Sequence, residues 1–143
     1  DVCIIDKGFE GVIGLKFTNR QSKYHFVVYS VYLPPESSSR GSHSDALFVH
    51  LLTQMYFLQD ADAIYLCGDI NARLCNMQDC SNDIDNVKDR IAIDIFCEIN
   101  QHGRAFLEFL NDSKMCMLNG RIENGSNGSH RFHQRVRLLL IIS

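Results

Sequence analysis

The segment from Tyr65 to Arg73 carries residues that could do hydrolytic chemistry. A short apolar run ends in Gly68 and Asp69, one residue is skipped, and Asn71 follows. If the run is a buried strand, Asp69 and Asn71 lie side by side at its carboxyl end, where open α/β sheets place their chemistry. A carboxylate accepts a proton and a carboxamide tolerates a nearby anion, so the pair could hold a water, a metal ion or a phosphoryl oxygen. The alternative is structural, because Asp and Asn after a strand commonly form turns.

The pattern of apolar residues predicts the elements that position this segment. Strands are expected at residues 11–17, 24–33, 63–67 and 114–118, the first two forming a hairpin that turns at residues 19–22. Helical spacing predicts amphipathic helices at residues 45–58, with Ser44 as N-cap, and at residues 104–111, after a turn at residues 101–103. Residues 36–44 are expected to form an exposed loop. The alternation of strands and helices predicts a single α/β domain, layered around a mixed sheet.

Residues 74–100 are the least regular part of the chain. Four aspartates there have a spacing that invites a calcium interpretation: Asp79, Asp83, Asp85 and Asp89. The Gly and the terminal Glu of an EF-hand loop are missing, so a solvated loop is the prediction. The six cysteines are irregularly spaced without a Cys-x-x-Cys, and buried free thiols in a reducing compartment are expected. His130 and His133 are three residues apart, but no cysteine pair lies upstream at zinc-finger spacing, so a zinc site is not predicted.

Composition bounds the classes of function. The chain of 143 residues has a net charge of −3, so no global basic field would attract nucleic acid. DNA binding would need a local patch or a metal ion. The sequence contains no run of about 18 apolar residues, so no membrane span is predicted.

Three motifs occur in order along the chain, at residues 31–38 (Val-Tyr-Leu-Pro-Pro-Glu-Ser-Ser), 65–73 (Tyr-Leu-Cys-Gly-Asp-Ile-Asn-Ala-Arg) and 118–121 (Leu-Asn-Gly-Arg). Together they resemble the endonuclease/exonuclease/phosphatase superfamily. The nearest likeness is the endonuclease domain of non-LTR (LINE-type) retrotransposons, and it extends to about Asn124. The resemblance implies an α/β sandwich, Mg²⁺-dependent phosphodiester hydrolysis and DNA as partner. An intracellular location is implied, nuclear if chromosomal DNA is the substrate.

The resemblance also implies roles for particular residues. Asp69 and Asn71 match the turn that orients the attacking water and the scissile phosphate, and Tyr32 matches the tyrosine that contacts the phosphate. Asn119 lies near the segment that lines the rim of the site, although a Leu-Asn-Gly turn explains it equally well. Arg73 and Arg121 could contact a backbone phosphate, or could simply be exposed arginines.

Departures from the family pattern predict an incomplete domain with an impaired site. The upstream metal-binding Glu has no counterpart, which leaves the metal ligands unknown, and Asp69 could lie near the ion without binding it directly. Pro35 stands where Asn often follows the family's proline, and the C-terminal Ser-Asp-His segment is missing. Two alternatives to a DNA endonuclease stay open: a decayed or co-opted domain without catalysis, and a phosphatase or phospholipid diesterase of the same superfamily.

The tail from about residue 125 diverges from the family. Codons permitted for residues 129–143, read two bases along, can spell Thr-Ser-Val-Ser-Ser-Thr-Gly-Ser-Thr-Val-Val-Asp-Tyr-Ile, which is similar to retrotransposon endonucleases at this place. A frameshift is therefore one hypothesis, and a divergent basic, apolar strand is the other. On either reading, residues 131–143 are expected to lie outside the sheet, with Arg131, Arg135 and Arg137 ahead of an exposed apolar strand.

Overall fold

A computed structural model describes residues 1–79, 89–90, 98–118 and 137–139. The described strands are β1 Val2–Asp6, β2 Val12–Thr18, β3 His25–Tyr32, β4 Ala63–Asp69, β5 Met115–Met117 and β6 Arg137–Leu139. The described α-helices are α1 Ser44–Phe57 and α2 Gln101–Ser113. The six strands form one mixed sheet in the order β1-β2-β3-β4-β6-β5. The predicted α/β class with a mixed sheet is confirmed.

The sheet has an antiparallel half and a parallel half. β1, β2 and β3 pair antiparallel, which confirms the predicted hairpin, whereas β3, β4, β6 and β5 pair parallel. Parallel neighbours need a crossover connection, and α1 supplies it between β3 and β4. The sequence did not predict β1. Its first four residues, Val2 to Ile5, are all exposed and only Asp6 is buried, so the strand lacks the alternation of buried and exposed positions that marks a half-buried strand.

The helix α1 begins one residue earlier than predicted. Ser44 is its first residue and not its N-cap: His43 occupies that position, without a side-chain capping bond. A 3₁₀ turn at Gly41–His43 leads directly into the helix. The predicted exposed loop at residues 36–44 is therefore partly wrong. Gly41 is buried, and a Cβ atom there would collide with the carbonyl oxygen of Pro35.

The hydrophobic core lies between the sheet and the two helices. Alternate residues of β3 and β4 are buried against the helices, namely Val27, Tyr29, Val31, Ile64 and Leu66. Three phenylalanines pack between α1 and α2, with ring centroids 5.4 Å apart for Phe48 and Phe109 and 5.7 Å apart for Phe48 and Phe106. Each such side chain contributes about 1.5–3 kcal/mol when it leaves water. This core fixes β4, and with it the turn that follows.

A buried carboxylate ties β1 to α1. Asp6 accepts a hydrogen bond from the backbone N–H of Gly8 at 2.9 Å and lies 2.7 Å from Nε2 of His50. The His50 ring stacks on Phe9, with centroids 5.2 Å apart. Burial, with a smaller effect of the Asp6 charge, raises the pKa of Tyr29 to about 12. Tyr29 therefore remains neutral in the core.

The helix α2 is longer than predicted. Residues 101–103 form its first turn and not a separate turn, because the side chain of Asn100 accepts a hydrogen bond from the backbone N–H of Gly103. Its end is set by Lys114, which adopts the left-handed conformation with φ of 56°. The predicted amphipathic character is confirmed, since Phe106, Leu107 and Leu110 are all buried.

The tail enters the sheet, contrary to the prediction. Leu138 in β6 pairs with Tyr65 in β4 on one side and with Cys116 in β5 on the other. Residues 137–139 therefore lie in the interior of the sheet and not at an unprotected edge. A short apolar run is typical both of an exposed edge strand and of a buried parallel strand, so the sequence pattern does not distinguish the two.

The expectations of a solvated acidic loop and of free cysteines are each wrong in part, although Asp89 is exposed as expected. Asp79 is not solvated: it is 1% exposed and accepts a hydrogen bond from the backbone N–H of Met117. Asp83 and Asp85 lie outside the described residues. Cys75 and Cys116 are disulfide-bonded, whereas Cys3 and Cys67 are free thiols. Among the described residues, no helix is both long enough and apolar enough to span a bilayer.

Candidate functional site

Strand pairing brings Tyr32 and Asp69 together. In the parallel register of β3 and β4, Tyr32 pairs with Asp69, and the next residue, Leu33, donates its backbone N–H to the Asp69 carbonyl oxygen at 2.9 Å. Both side chains are exposed, Tyr32 to 54%. β4 lies between β3 and β6, so the predicted central strand with Asp69 at its carboxyl end is confirmed.

Gly68 makes the turn into the site possible. Its φ is +132°, which residues with a side chain rarely adopt, and a Cβ atom there would collide with the carbonyl oxygen of Val31. The close approach of β3 and β4 backbones at this point therefore requires glycine. It directs the chain so that Asp69 follows at the edge of the sheet.

Asp69 and Asn71 are held by a local turn. The backbone N–H of Asn71 donates to Oδ1 of Asp69 at 2.9 Å, and Asn71 itself is left-handed with φ of 49°. The Asn71 side chain donates through Nδ2 to the carbonyl oxygen of Leu33, again at 2.9 Å. The turn-forming interpretation is thus correct for these contacts. It leaves Oδ2 of Asp69 without a hydrogen bond to any described residue.

A cavity of about 510 Å³ opens beside this turn. Its lining residues come from the segment after β3, the segment after β4 and the approach to α2: Pro35, Glu36, Ser37, Asp69, Ile70, Asn71, Ala72, Arg73 and Asn100. Two carboxylates and one guanidinium group therefore share the cavity. A site of this charge could hold a cation between Glu36 and Asp69 and an anionic oxygen at Arg73.

Asn100 organises the loop after Asp69, a role that was not predicted from the sequence. Its Oδ1 accepts from the backbone N–H of Arg73 at 2.8 Å and from that of Gly103 at 2.9 Å. Its Nδ2 donates to the carbonyl oxygen of Asn71 at 2.9 Å. One side chain therefore caps α2 and fixes the loop after Asp69. The available signal was an Asn immediately before the helix, but the helix was predicted to start at Arg104.

Glu36 was also missed as a residue of the cavity. Its Oε1 accepts a hydrogen bond from the backbone N–H of His102 at 2.6 Å, at the positive N-terminus of α2. The buried His102 ring lies 2.9 Å from the carbonyl oxygen of Gly41 through Nε2. These contacts connect the loop after β3 to α2. Glu36 Oε2 makes no hydrogen bond with the described part of the chain, and Glu36 is an exposed lining residue of the cavity.

The remaining predicted site residues divide into two groups. Arg73 lines the cavity and is exposed. Asn119 and Arg121 lie outside the described residues, as do His130 and His133. Within the described ranges, no three His, Cys, Asp or Glu residues cluster closely enough to form a metal site by themselves.

Replacing Asn100 with alanine should destabilise both α2 and the Asp69 loop. The variant loses an N-cap and leaves the backbone N–H of Arg73 without its acceptor, and such losses together cost roughly 1–3 kcal/mol. Urea unfolding measures the change in free energy. Asn111→Ala is the matched control, because Asn111 is exposed in the same helix, and it should change the free energy of unfolding by less than about 0.5 kcal/mol. Equal effects of the two substitutions would contradict the organising role of Asn100.

Comparisons of the chain with protein-family models, with curated proteins and with solved structures find no match. The resemblance to the endonuclease/exonuclease/phosphatase superfamily therefore rests on the ordered motifs. The chemistry of the site rests on the geometry around Asp69.

Proposed function

We propose that this chain carries part of a Mg²⁺-dependent phosphodiesterase, a DNA endonuclease of retrotransposon origin whose activity is impaired. The observation that supports it is the position of Asp69. It stands at the carboxyl end of a central parallel strand and is paired there with the exposed Tyr32. It lines one cavity with Asn71 and Arg73, and Tyr32 lies next to that cavity by strand pairing without being one of its lining residues. Phosphodiester hydrolysis needs that combination of an acceptor for the attacking water and donors for the phosphoryl oxygens.

Each residue has a distinct role in this proposal. Asp69 accepts a hydrogen bond from the attacking water through Oδ2 and orients it for in-line attack. The Tyr32 hydroxyl and the Arg73 guanidinium donate to phosphoryl oxygens as negative charge develops on them. Asn71 holds the turn through Leu33, and it lines the same cavity. In a complete site, losing one such contributor costs about 10²–10⁴-fold in rate.

The donor set at the cavity fits Mg²⁺. Carboxylate oxygens are hard ligands, and protein sites commonly bind this ion through one or two carboxylates while it keeps several waters. Glu36 and Asp69 are the carboxylates that would hold it, with Asp69 acting through one of the waters that the ion keeps. The ion, when bound, neutralises charge on the phosphoryl oxygens and lowers the pKa of a bound water. Each of the two carboxylates already accepts a hydrogen bond from a backbone N–H, so we expect the ion to bind weakly.

A second candidate is a domain that binds DNA or protein without catalysis. The observation that favours it is the way the polar groups of the cavity are used. The side-chain amides of Asn71 and Asn100 donate to backbone carbonyl oxygens, and one carboxylate oxygen of Glu36 accepts a hydrogen bond from the backbone of α2. This leaves few groups for chemistry. A phosphatase of the same superfamily would share Asp69 and differ in its substrate.

The chain should nick supercoiled plasmid in Mg²⁺ no faster than its Asp69→Ala variant. The reason is that the metal-binding Glu and the terminal Asp–His pair of the family are missing from its sequence. Gel electrophoresis of the plasmid measures the rate. Asp60→Ala is the matched control for loss of an aspartate, because Asp60 lies before β4, at the opposite end of the strand. Rapid nicking that Asp69→Ala abolishes and Asp60→Ala preserves would show that the remaining residues suffice for catalysis.

DNA binding separates the two candidates on the same samples. For the endonuclease, binding of a labelled duplex should strengthen with Mg²⁺, and Arg73→Ala should reduce the slope of log affinity against log salt by about 1. For a domain without this site, binding would be independent of Mg²⁺ and of Arg73.

A further inference from the structure

Three large apolar side chains of α1 are exposed to solvent. Apolar residues occur on all sides of α1: Leu47, Leu51 and Met55 are buried against the core, yet Val49, Tyr56 and Phe57 are 64%, 74% and 76% exposed. A helix that packs on a sheet through one face normally carries polar residues on the other. Large apolar side chains on the outer face of α1 therefore indicate a surface that a partner covers.

A groove runs between α1 and α2 beside these residues. Its apolar walls are Phe48, Val49 and Leu52 from α1 and Ala105 and Phe109 from α2, and they enclose about 150 Å³. Phe48 and Phe109 form its floor, with stacked rings 28° apart in plane. Both rings are packed into the core, so the floor is rigid. An apolar side chain of a partner could enter the groove without rearranging the two helices.

The rim of the groove is acidic. Asp45 lines it from α1, and Glu108 and Asp112 line it from α2. All three side chains are exposed, and none forms an ion pair with the described part of the chain. No Lys or Arg is among the described residues that line it. Three carboxylates without an ion-pair partner in the described ranges repel phosphates and attract cationic side chains, so a basic protein segment fits the groove better than nucleic acid does.

We propose that the groove between α1 and α2 binds an amphipathic segment of a partner protein, with apolar side chains on its inner face and Lys or Arg at its edges. The apolar residues would cover Val49, Leu52 and Ala105, above the floor of Phe48 and Phe109, and the basic residues would pair with Asp45, Glu108 and Asp112. Helix-in-groove recognition uses this combination of apolar anchors and flanking charges. The groove is lined by none of the residues of the Asp69 cavity, so this interaction is independent of the proposed hydrolysis.

The test uses the full 143-residue chain and a helical peptide of Leu and Lys in amphipathic arrangement, at about 0.15 M salt. Isothermal titration calorimetry measures affinity, and amide shifts locate the site. The peptide should shift amides of residues 45–52 and 105–112. The double variant Glu108→Lys, Asp112→Lys should bind roughly tenfold more weakly. Asp89→Lys with Glu98→Lys is the matched control, because both carboxylates are exposed outside the groove, and it should bind like the parent chain.

Four results would overturn the proposal. In the first two, the control double variant binds the peptide as weakly as the groove variant does, or the groove variant binds it as tightly as the parent chain. In the other two, a peptide with Glu in place of Lys binds as tightly as the Lys peptide, or the peptide shifts only amides outside the groove. Because the substituted residues are exposed, both double variants should keep the circular dichroism spectrum of the parent chain. A further measurement, sedimentation of the chain alone, addresses a second copy as occupant. Self-association that the groove variant abolishes would assign the groove to this chain itself and reject a separate partner.

Discussion

Replacing Gly68 with alanine should destabilise the chain by roughly 3 kcal/mol or more, a large share of the 5–15 kcal/mol that holds a typical domain together. The new Cβ would collide with backbone, the carbonyl oxygen of Val31, and backbone in the middle of a sheet cannot move aside cheaply. The φ of +132° adds strain of its own. Urea unfolding followed by circular dichroism measures the loss.

Gly8→Ala is the matched control for this change. A Cβ at Gly8 would have only Oδ1 of Asp6 nearby, at 3.5 Å, which is ordinary contact. The control should change the free energy of unfolding by less than about 1 kcal/mol. If Gly68→Ala were as mild as Gly8→Ala, the pairing of β3 with β4 that places Tyr32 beside Asp69 would be wrong.

Ending the chain at residue 136 should unfold the parallel half of the sheet. β6 is the only described strand that joins β5 to β4, so its removal leaves the open edges of both strands without backbone partners. We expect loss of the cooperative unfolding transition and increased aggregation. The measurement is thermal unfolding, with soluble yield as a second readout.

A chain ending at Leu139 is the control, because it keeps β6 and removes only the residues that follow. It should unfold cooperatively like the full chain. A stable, soluble chain ending at residue 136 would contradict the position of β6 and would restore the original expectation of a removable tail. The frameshift hypothesis is tested separately, since a nucleotide sequence without Val-Val-Asp-Tyr in the alternate frame rejects it.

Most of the central elements could be predicted from the sequence, because their signals are local. The hairpin of β2 and β3, the helix α1 and the strand β4 each carry a periodicity or an apolar run bounded by turn residues. β1 and β6 could not be predicted in the same way. Both are short apolar runs, and their places in the sheet depend on pairing with distant residues such as Leu15 and Tyr65.

The site was predicted in part for the same reason. Asp69 and Asn71 belong to one local motif, and the parallel pairing of β3 with β4 brings Tyr32 to them. Glu36 and Asn100 reach the cavity only through contacts with α2 across long separations in the chain. The disulfide bonds of Cys75 and Cys116 were missed because irregular cysteine spacing carries no pairing information.

Binding of Mg²⁺ to the cavity tests most directly whether Asp69 is the centre of the site. Titrating the ¹⁵N-labelled chain with Mg²⁺ should shift the amides of Asp69, Asn71, Arg73 and Glu36, in the lining of one cavity. Asp69→Asn keeps the shape of the side chain and removes its charge, so it should abolish these shifts, whereas Asp60→Asn should preserve them. Shifts that survive Asp69→Asn, or that occur only outside residues 35–37 and 69–73, would contradict the assignment of Asp69 as the centre of the site.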